Sequence, residues 1–210
     1  MSFDILILTH PARKQFLAQL LSILEPQIQG GKIGVGIHVV TDENWSRPNM
    51  QLGEKRQYMR LQSHADYSAF VDDDDLVPMD YVSRILPLLD GVDQIGWEQE
   101  VWKDHQKQKR DFHTLALPGW SEDAQAYHRD ISHLQPMRRE VALAAAMEGG
   151  YGEDSRWAAK LRALGVVKTE HYIDLPPCYF YLWRTRKNDA TDAMDPWRLQ
   201  FIDRIRKGLP

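Results

Sequence analysis

Four consecutive aspartates, Asp72, Asp73, Asp74 and Asp75, directly follow the apolar segment 67–71, which has the length and composition of a buried β-strand. We call these four residues the acidic run. Carboxylates this close together repel one another and raise each other's pKa unless a cation neutralises them. Oxygen ligands select Mg²⁺ or Mn²⁺ over Zn²⁺, and Mg²⁺ usually keeps water and phosphate oxygens beside one or two carboxylates. The acidic run therefore predicts a divalent-metal site for a phosphate ester or a diphosphate.

A simpler interpretation is that the acidic run only caps the next helix, predicted over residues 79–89, because acidic side chains favour helix N-termini. One residue would satisfy such a cap, and four aspartates exceed what capping needs. The sequence contains neither a P-loop nor a G-x-G-x-x-G segment after its first apolar strand. Walker-type ATPases and Rossmann dinucleotide enzymes are therefore disfavoured.

The elements that would position the acidic run alternate between strand and helix. Apolar segments at residues 5–8 and 36–40 predict two strands, and residues 12–24 between them have helical periodicity. Further helices are predicted over 53–63, 79–89, 136–147 and 155–164, and further strands over 95–102, 112–117 and 178–183. This alternation predicts an α/β fold whose mostly parallel central sheet is flanked by helices, with the acidic run in the crevice beyond the strand ends.

Composition limits the class of protein. The 210 residues are 43% hydrophobic and 27% charged, as in ordinary globular domains, and a net charge of −4 argues against binding nucleic acid through charge alone. No segment approaches the roughly 18 apolar residues of a membrane span, and we expect no secretory leader. The only cysteine, Cys178, lies in an apolar segment and is interpreted as a buried hydrophobe, so a reducing cytoplasm is the expected location.

Several segments taken together resemble the family 2 glycosyltransferases of the GT-A fold. They are residues 5–13, residues 39–42, residues 53–57 with a G-x-x-R spacing, the DxD-type residues 70–75, and the Gly-Glu-Asp of residues 152–154. The order and spacing match from about residue 5 to residue 164, which is most of the chain.

The resemblance implies one GT-A-like domain over residues 1–210, with a nucleotide-sugar half at about 1–90 and an acceptor and catalytic half at about 91–210. It implies an enzyme that uses Mn²⁺ or Mg²⁺ and moves a sugar from a nucleotide-diphosphate sugar to an acceptor hydroxyl. Because a single direct displacement inverts the anomeric carbon, we expect inversion of configuration.

On the donor side, the resemblance implies nucleotide contacts from Thr9, Arg13 and Asp42, and from a basic element made of Lys55 and Arg56. Turn chemistry at the strand ends is an equally good interpretation of Thr9 and Asp42. A solvated helix face is the alternative for Arg56.

The DxD element maps onto Asp72 and Asp74, with Asp74 as the direct metal ligand and Asp72 as a second ligand or, like Asp73, nearer the ribose. The fourth aspartate leaves this register open by one residue. Many family members carry a histidine after the last strand. Here Arg184 and Arg186 stand in that segment, and we expect them to hold the diphosphate instead.

The expected general base is Asp154, with Glu153 beside it, because a carboxylate opposite the leaving diphosphate can deprotonate the acceptor hydroxyl. Capping of the following helix by Asp154 is the alternative. Trp120, His133 and Arg138 lie where the family places acceptor-side elements. A core position for Trp120 and a solvated one for Arg138 are the simpler interpretations.

The sequence leaves three acceptor classes open: a glycan, a protein side chain or a hydroxylated DNA base. For DNA, the basic segments 103–110 and 184–187 would be the contact strips, although a solvated hairpin tip is the simpler interpretation of the first. Alternative functions are a nucleotidyltransferase or phosphotransferase, which would need a lysine beside the attacked phosphate, and a non-catalytic nucleotide-sugar binding module. The amphipathic segment 197–207 is expected to pack back on the domain.

Overall fold

The computed structural model describes residues 1–29, 34–41, 50–175, 177–185 and 192–208 of the chain. The strands are β1 (Phe3–Thr9), β2 (Val35–Thr41), β3 (Tyr67–Phe70), β4 (Gln94–Lys103), β5 (Gln106–Lys107), β6 (Arg110–His113), β7 (Ser121–Glu122), β8 (Ala126–Arg129), β9 (Met137–Arg138), β10 (Glu170–Ile173) and β11 (Phe180–Trp183). The helices are α1 (Lys14–Ile28), α2 (Leu52–Gln62), α3 (Tyr81–Ile85), α4 (Arg139–Ala142), α5 (Glu153–Leu164) and α6 (Pro196–Arg206), with short 3₁₀ turns at Pro11–Arg13 and Leu86–Leu88.

The strands form one sheet in the order β2-β1-β3-β9-β4-β6-β8-β7, and β5, β10 and β11 also pair with β4. Strand β1 is parallel to both β2 and β3, as consecutive β-α-β units require. Around β4 the pairing is mixed, with β10 and β11 parallel to it and β6 and β9 antiparallel. The predicted α/β class is confirmed, while the parallel pairs are those of β1 with β2 and β3, of β4 with β10 and β11, and of β6 with β8.

Helices cover both faces of the sheet because successive side chains of a strand point to opposite sides. In β1, Ile5 and Ile7 belong to a core that includes residues of α1, α3 and α6. Leu6 lies between them in sequence and packs instead with Met59 of α2. The predicted return of the amphipathic C-terminal segment is confirmed, since Phe201 and neighbouring apolar residues of α6 are buried in the larger core.

The alanine-rich segment 136–147 departs from its prediction, because only the four residues of α4 are helical. Side chains from neighbouring helices take the backbone groups that a longer helix would have used. The amide of Met147 donates to Gln57 of α2 over 3.0 Å, and the indole of Trp157 on α5 donates to the carbonyl of Ala142 over 3.2 Å. Tertiary contacts therefore override alanine's helix propensity here.

The basic segment 103–110 forms the expected hairpin tip between β4 and β5, with its turn at Asp104 and His105, whose φ angles are +47° and +69°. Three of its four cations pair with glutamates, Lys107 with Glu100, Lys109 with Glu122 and Arg110 with Glu98, and Lys103 lies over the ring of Trp183. Within the described ranges, no helix combines the length and apolarity that crossing a bilayer demands.

Candidate active site

A cavity of about 480 Å³ opens at the carboxyl ends of β1 and β3, between the first turns of α2 and α5. We call it the main cavity. Of the residues predicted from sequence, those that line it are Thr9, Arg13, Arg56, Asp72, Asp73, Asp74, His133, Glu153 and Asp154. The predicted location of the acidic run, in the crevice beyond the strand ends, is confirmed.

Asp73 is held by the residues that were expected to contact the nucleotide. The hydroxyl of Thr9 donates to it over 2.6 Å, and the guanidinium of Arg13 donates over 2.9 Å. Asp73 is 1% exposed, and burial raises its pKa even though Thr9 and Arg13 act in the opposite direction. The end of β1 is thereby fixed to the acidic run.

Asp75 is turned into the protein. Its carboxylate accepts a hydrogen bond from the hydroxyl of Tyr179 over 2.9 Å and from the amide of Leu182 over 2.7 Å. Burial, together with the charges of Asp74 and Asp72, raises the pKa of Asp75 well above its ordinary value. Both oxygens of this aspartate therefore serve to anchor the acidic run to β11.

Asp74 faces two arginines through a single oxygen. Its Oδ2 lies 3.4 Å from Arg13 and 3.1 Å from Arg184, which follows β11 and also pairs with Asp192 over 2.6 Å. The buried Arg198 of α6 donates to the backbone carbonyl of Asp74 over 2.7 Å. Arg184 contacts the acidic run but does not line the main cavity, and its expected contact with the diphosphate stays a prediction. Arg186 and Asp42 lie outside the described residues.

Arg56 joins the acidic run to α5. One terminal nitrogen of its guanidinium contacts Asp72 at 2.7 Å, and the other contacts Glu153. Arg56 is 6% exposed, so its interpretation as part of a solvated helix face is wrong. Burial alone would lower its pKa, but Asp72 and Glu153 raise it above the ordinary value.

Gly53 makes this arrangement possible. A Cβ atom at this position would lie 2.7 Å from the backbone of Glu148, closer than real Cβ contacts come. The amide of Gly53 also donates to the carbonyl of Gly149 over 2.7 Å. Only glycine therefore allows α2 to begin against the loop that leads into α5, and this close approach brings Arg56 to Glu153.

His133 lies between the acidic run and the predicted base. Its Nε2 is 3.5 Å from Asp72, and its Nδ1 is 3.3 Å from Asp154. Burial and Arg56 lower the pKa of His133, but Asp72 and Asp154 outweigh them and raise it. The side chain is buried, so the acceptor contact expected of His133 would have to be made by an imidazole already held between two carboxylates.

Asp154 is ionised at neutral pH. Burial alone would raise its pKa, but His133 and the amide of Ser155, which donates over 2.8 Å, hold the pKa below its usual range. The N-cap of α5 is Gly152, with a φ of +79°, and Asp154 lies in the first turn of this helix. Asp154 is therefore not the N-cap residue, although one of its oxygens satisfies the first-turn amide of Ser155 while the other faces His133. The neighbouring residue Glu153 is 2% exposed and pairs with Arg56.

A second cavity, of about 420 Å³, adjoins the main cavity, and we call it the side cavity. The two cavities share Arg129, Ser132, Asp154 and Ser155. Trp120 lines the side cavity and is 63% exposed, so the alternative of a core position for Trp120 is wrong. The predicted base therefore borders both cavities.

Two residues predicted for the site are not brought to it. Arg138 lines neither cavity and instead pairs with Asp93 and Glu140. The reason is the alternation along β9, where Met137 points into a core and Arg138 points away from it. Lys55 lines neither cavity, because the neighbouring Arg56 occupies the face of α2 that the main cavity exposes.

The main cavity also contains residues that sequence reasoning missed. The wall of this cavity opposite β3, the strand that precedes the acidic run, is lined by Gln99 of β4, His113 of β6 and Arg129 of β8. Strand β8 is itself not predicted, because its sequence AYHR has only two residues typical of a buried strand. These residues could have been found only through the pairing of the three strands.

The donor set suits a metal that completes its shell with ligand oxygens. Among the described residues, no three side chains of His, Cys, Asp or Glu come together as a closed metal site would require. Asp72 and Asp74 stand two positions apart just after β3, and the arginines within the described ranges contact the carboxylate of Asp74 through its Oδ2 only. One or two carboxylates are the usual protein contribution to Mg²⁺ at a diphosphate.

The comparisons with known proteins find similarity in structure only. No protein-family model matches the sequence, and no curated protein matches it. Residues 1–349 of TarS from S. aureus, solved with UDP-GlcNAc, are similar to this chain with a TM-score of 0.61 and 11% identity over 91% of the chain and 61% of the TarS fragment. The same fragment solved alone gives a TM-score of 0.59 at 10% identity, over 87% of this chain and 60% of the fragment.

Glucosyl-3-phosphoglycerate synthase from Mycobacterium tuberculosis, solved with Mn²⁺ and UDP-glucose, is similar with a TM-score of 0.55 and 14% identity, over all of this chain and 80% of the synthase. Both neighbours are glycosyltransferases of the GT-A fold. The chain has this fold, as the sequence motifs indicated, and it spans about 60% of the TarS fragment's length.

Proposed function

We propose that this protein is a metal-dependent glycosyltransferase that moves a sugar from a nucleotide-diphosphate sugar to an acceptor hydroxyl with inversion of configuration. One observation carries the proposal. In a GT-A fold, the acidic run and Asp154 face the same cavity of about 480 Å³, and His133 lies between Asp72 and Asp154. The complexes of the structural neighbours with UDP-GlcNAc and with Mn²⁺ and UDP-glucose support a UDP-sugar as the donor.

On the donor side, Asp74 and Asp72 would hold a divalent cation, which supplies Lewis-acid neutralisation of the diphosphate leaving group when bound. Asp75 is committed to Tyr179 and Leu182, which favours the register with Asp74 as the principal ligand. Arg13 and Arg184 flank Asp74 and would orient the diphosphate between them. Titration of the protein with Mn²⁺ and with Mg²⁺ distinguishes the two ions by their affinity.

On the acceptor side, Asp154 would take the proton of the attacking hydroxyl. It is ionised at neutral pH and borders both cavities. An acceptor bound in the side cavity would therefore contact Asp154 from the side opposite the acidic run. Trp120 would stack on the acceptor ring at the mouth of that cavity. Glu153 has a separate role, because it neutralises Arg56 and thereby positions Asp72.

The alternative functions lack this support. A nucleotidyltransferase would need a lysine at the attacked phosphate, and among the described residues no lysine lines the main cavity. Three of the four cations of the basic segment 103–110 pair with glutamates, which favours a glycan or a protein side chain over DNA as the acceptor. The proposal includes a single domain, with its donor half at about residues 1–90 and its acceptor and catalytic half at about 91–210. It also includes a reducing cytoplasm as the protein's location.

The proposal is tested by incubating the chain and Mn²⁺ with UDP-glucose, UDP-GlcNAc, GDP-mannose and dTDP-glucose, one at a time. We expect slow release of the nucleoside diphosphate from one donor, faster when an acceptor is present. Release of a nucleoside monophosphate or pyrophosphate would support the nucleotidyltransferase instead, and no release from any donor would support a binding module. NMR of the glycosidic product should show the anomeric configuration opposite to that of the donor.

A further inference from the structure

Three neighbouring strands place polar side chains on one face of the sheet. In the pairing register, Gln99 of β4 stands opposite Asp111 of β6, and His113 of β6 stands opposite Arg129 of β8. Paired residues on adjacent strands, and residues two apart on one strand, point to the same side. We call Gln99, Asp111, His113 and Arg129 the strand cluster.

The strand cluster is organised around one oxygen of Asp111. Its Oδ2 accepts a hydrogen bond from Gln99 over 2.7 Å and lies 3.2 Å from Nε of Arg129 and 3.4 Å from Nε2 of His113. Gln99, Asp111 and His113 are at most 2% exposed. The charge of Asp111 is balanced by Arg129, so the pair presents no net charge to the cavity.

Several polar atoms of the strand cluster are buried without a hydrogen-bond partner among the described residues. They are Oε1 of Gln99, Oδ1 of Asp111 and Nδ1 of His113, while Nε2 of His113 and Nε of Arg129 lie 3.4 and 3.2 Å from Asp111 without forming a well-aligned hydrogen bond. Buried polar atoms are nearly always paired in folded proteins, so such a concentration at one place requires an explanation. Gln99, His113 and Arg129 line the main cavity, and a molecule bound there would supply partners for Gln99 and His113.

We propose that the strand cluster reads the hydroxyl groups of the donor sugar and sets the enzyme's choice of sugar. This inference rests on the proposed function. A sugar hydroxyl both donates and accepts, which matches the open acceptor oxygen of Gln99 and the ring nitrogens of His113 at the cavity wall. Asp111 does not line the cavity and holds Gln99 and Arg129 in place from behind. The balanced charge of Asp111 and Arg129 favours a neutral sugar over an acidic one.

The position of the strand cluster favours the donor over the acceptor. Gln99 and His113 line the main cavity together with the acidic run, and neither of them lines the side cavity. Arg129 alone borders both. A sugar attached to a diphosphate at Asp74 would therefore lie in the same cavity as the strand cluster, with Asp154 at the boundary from which the acceptor approaches.

The test compares Gln99→Leu and His113→Leu with Gln27→Leu as the matched control. Gln27 is also buried, but it donates to the carbonyls of Ile23 and Pro78 over 3.0 and 2.9 Å and lines neither cavity. Calorimetric titrations in Mn²⁺ use the donor that the panel identifies and its nucleoside diphosphate. We expect both cluster variants to bind the sugar nucleotide about tenfold more weakly and the diphosphate unchanged. The control should preserve the ratio of the two affinities.

Deoxy analogues of the donor sugar allow a measurement on the unmodified chain, which does not depend on the folding of any variant. The unmodified chain should bind at least one deoxy analogue about tenfold more weakly than the parent sugar nucleotide, and Gln99→Leu or His113→Leu should bind the two equally.

Three results would overturn the inference while leaving the proposed function intact. They are an equal loss of sugar nucleotide and diphosphate binding in the cluster variants, full tolerance of every deoxy analogue, and a change confined to the KM for the acceptor. Failure of the unmodified chain to bind any sugar nucleotide would instead overturn the proposed function, and this inference with it.

Discussion

The carboxylates of Asp72 and Asp154 contact the two ring nitrogens of one buried imidazole, that of His133, at 3.5 and 3.3 Å. The first of these carboxylates follows β3 at the start of the acidic run, and the second lies in the first turn of α5. Burial alone would raise the pKa of Asp72, but Arg56 and His133 hold it well below its usual range, as His133 does for Asp154. The donor and acceptor sides of the main cavity are thus joined through a charged contact.

Replacing Asp154, the predicted base, should lower the rate of sugar transfer without lowering the affinity for the donor. Asp154→Asn keeps the shape of the side chain but removes the proton acceptor, and we expect transfer to fall by about 10²-fold to 10⁴-fold with little change in donor affinity. The measurement is the rate of glycoside formation beside a calorimetric Kd for the donor. Glu148→Gln, an exposed change in the adjoining loop, should retain full activity. Equal activity in Asp154→Asn and in the control would remove Asp154 from the mechanism.

Replacing Asp74, the third aspartate of the acidic run, should weaken the binding of the metal. Asp74→Asn removes the charge that the cation needs, so Mn²⁺ binding, followed by electron paramagnetic resonance in the presence of UDP, should weaken by at least about tenfold. Asp80→Asn is the control, because Asp80 is exposed and pairs only with Arg84 one turn along α3. Unchanged Mn²⁺ affinity in Asp74→Asn would move the metal ligand to another residue of the run.

The buried guanidinium of Arg56 is expected to be essential for stability. Arg56→Met leaves the buried Glu153 and the partly exposed Asp72 without their shared partner, and we expect a loss of about 3 kcal/mol in the free energy of unfolding, at the lower end for a broken buried pair. Arg56→Lys should recover only part of this, because an ammonium cannot contact both carboxylates in the geometry of the two guanidinium nitrogens. Urea denaturation measures both changes. Adding Glu153→Gln to Arg56→Met should reduce the loss, and strictly additive effects would contradict the coupling.

Cys178 should react slowly in the folded protein. Burial raises the pKa of its thiol to about 11, so at pH 8 the reactive thiolate is scarce, and the side chain is 1% exposed. The rate of alkylation by iodoacetamide should rise steeply when urea unfolds the chain. In the folded protein it should continue to increase with pH beyond pH 9, where an ordinary thiol has already levelled off. Rapid alkylation of the native protein at pH 8 would contradict the buried, unreactive role.

The site divides into parts that the sequence could predict and parts that it could not. The position of the acidic run followed from a local signal, an apolar strand ending in a polar turn, and the structure confirms it. The burial of Arg56 was missed because α2 is polar on most of its surface, and only the approach allowed by Gly53 covers that face. The strand cluster depends on the pairing of β4, β6 and β8, which a single sequence does not specify.

The contact between Arg198 and the carbonyl of Asp74 joins residues 124 positions apart, and the contacts of Asp73 with Thr9 and Arg13 span 64 and 60 positions. Contacts of such long sequence separation form slowly, because the entropy of closing large loops is lost before the contacts stabilise the chain. During refolding from denaturant, helical circular dichroism should therefore return before nucleotide binding does. The lag between the two signals would measure how late the main cavity assembles.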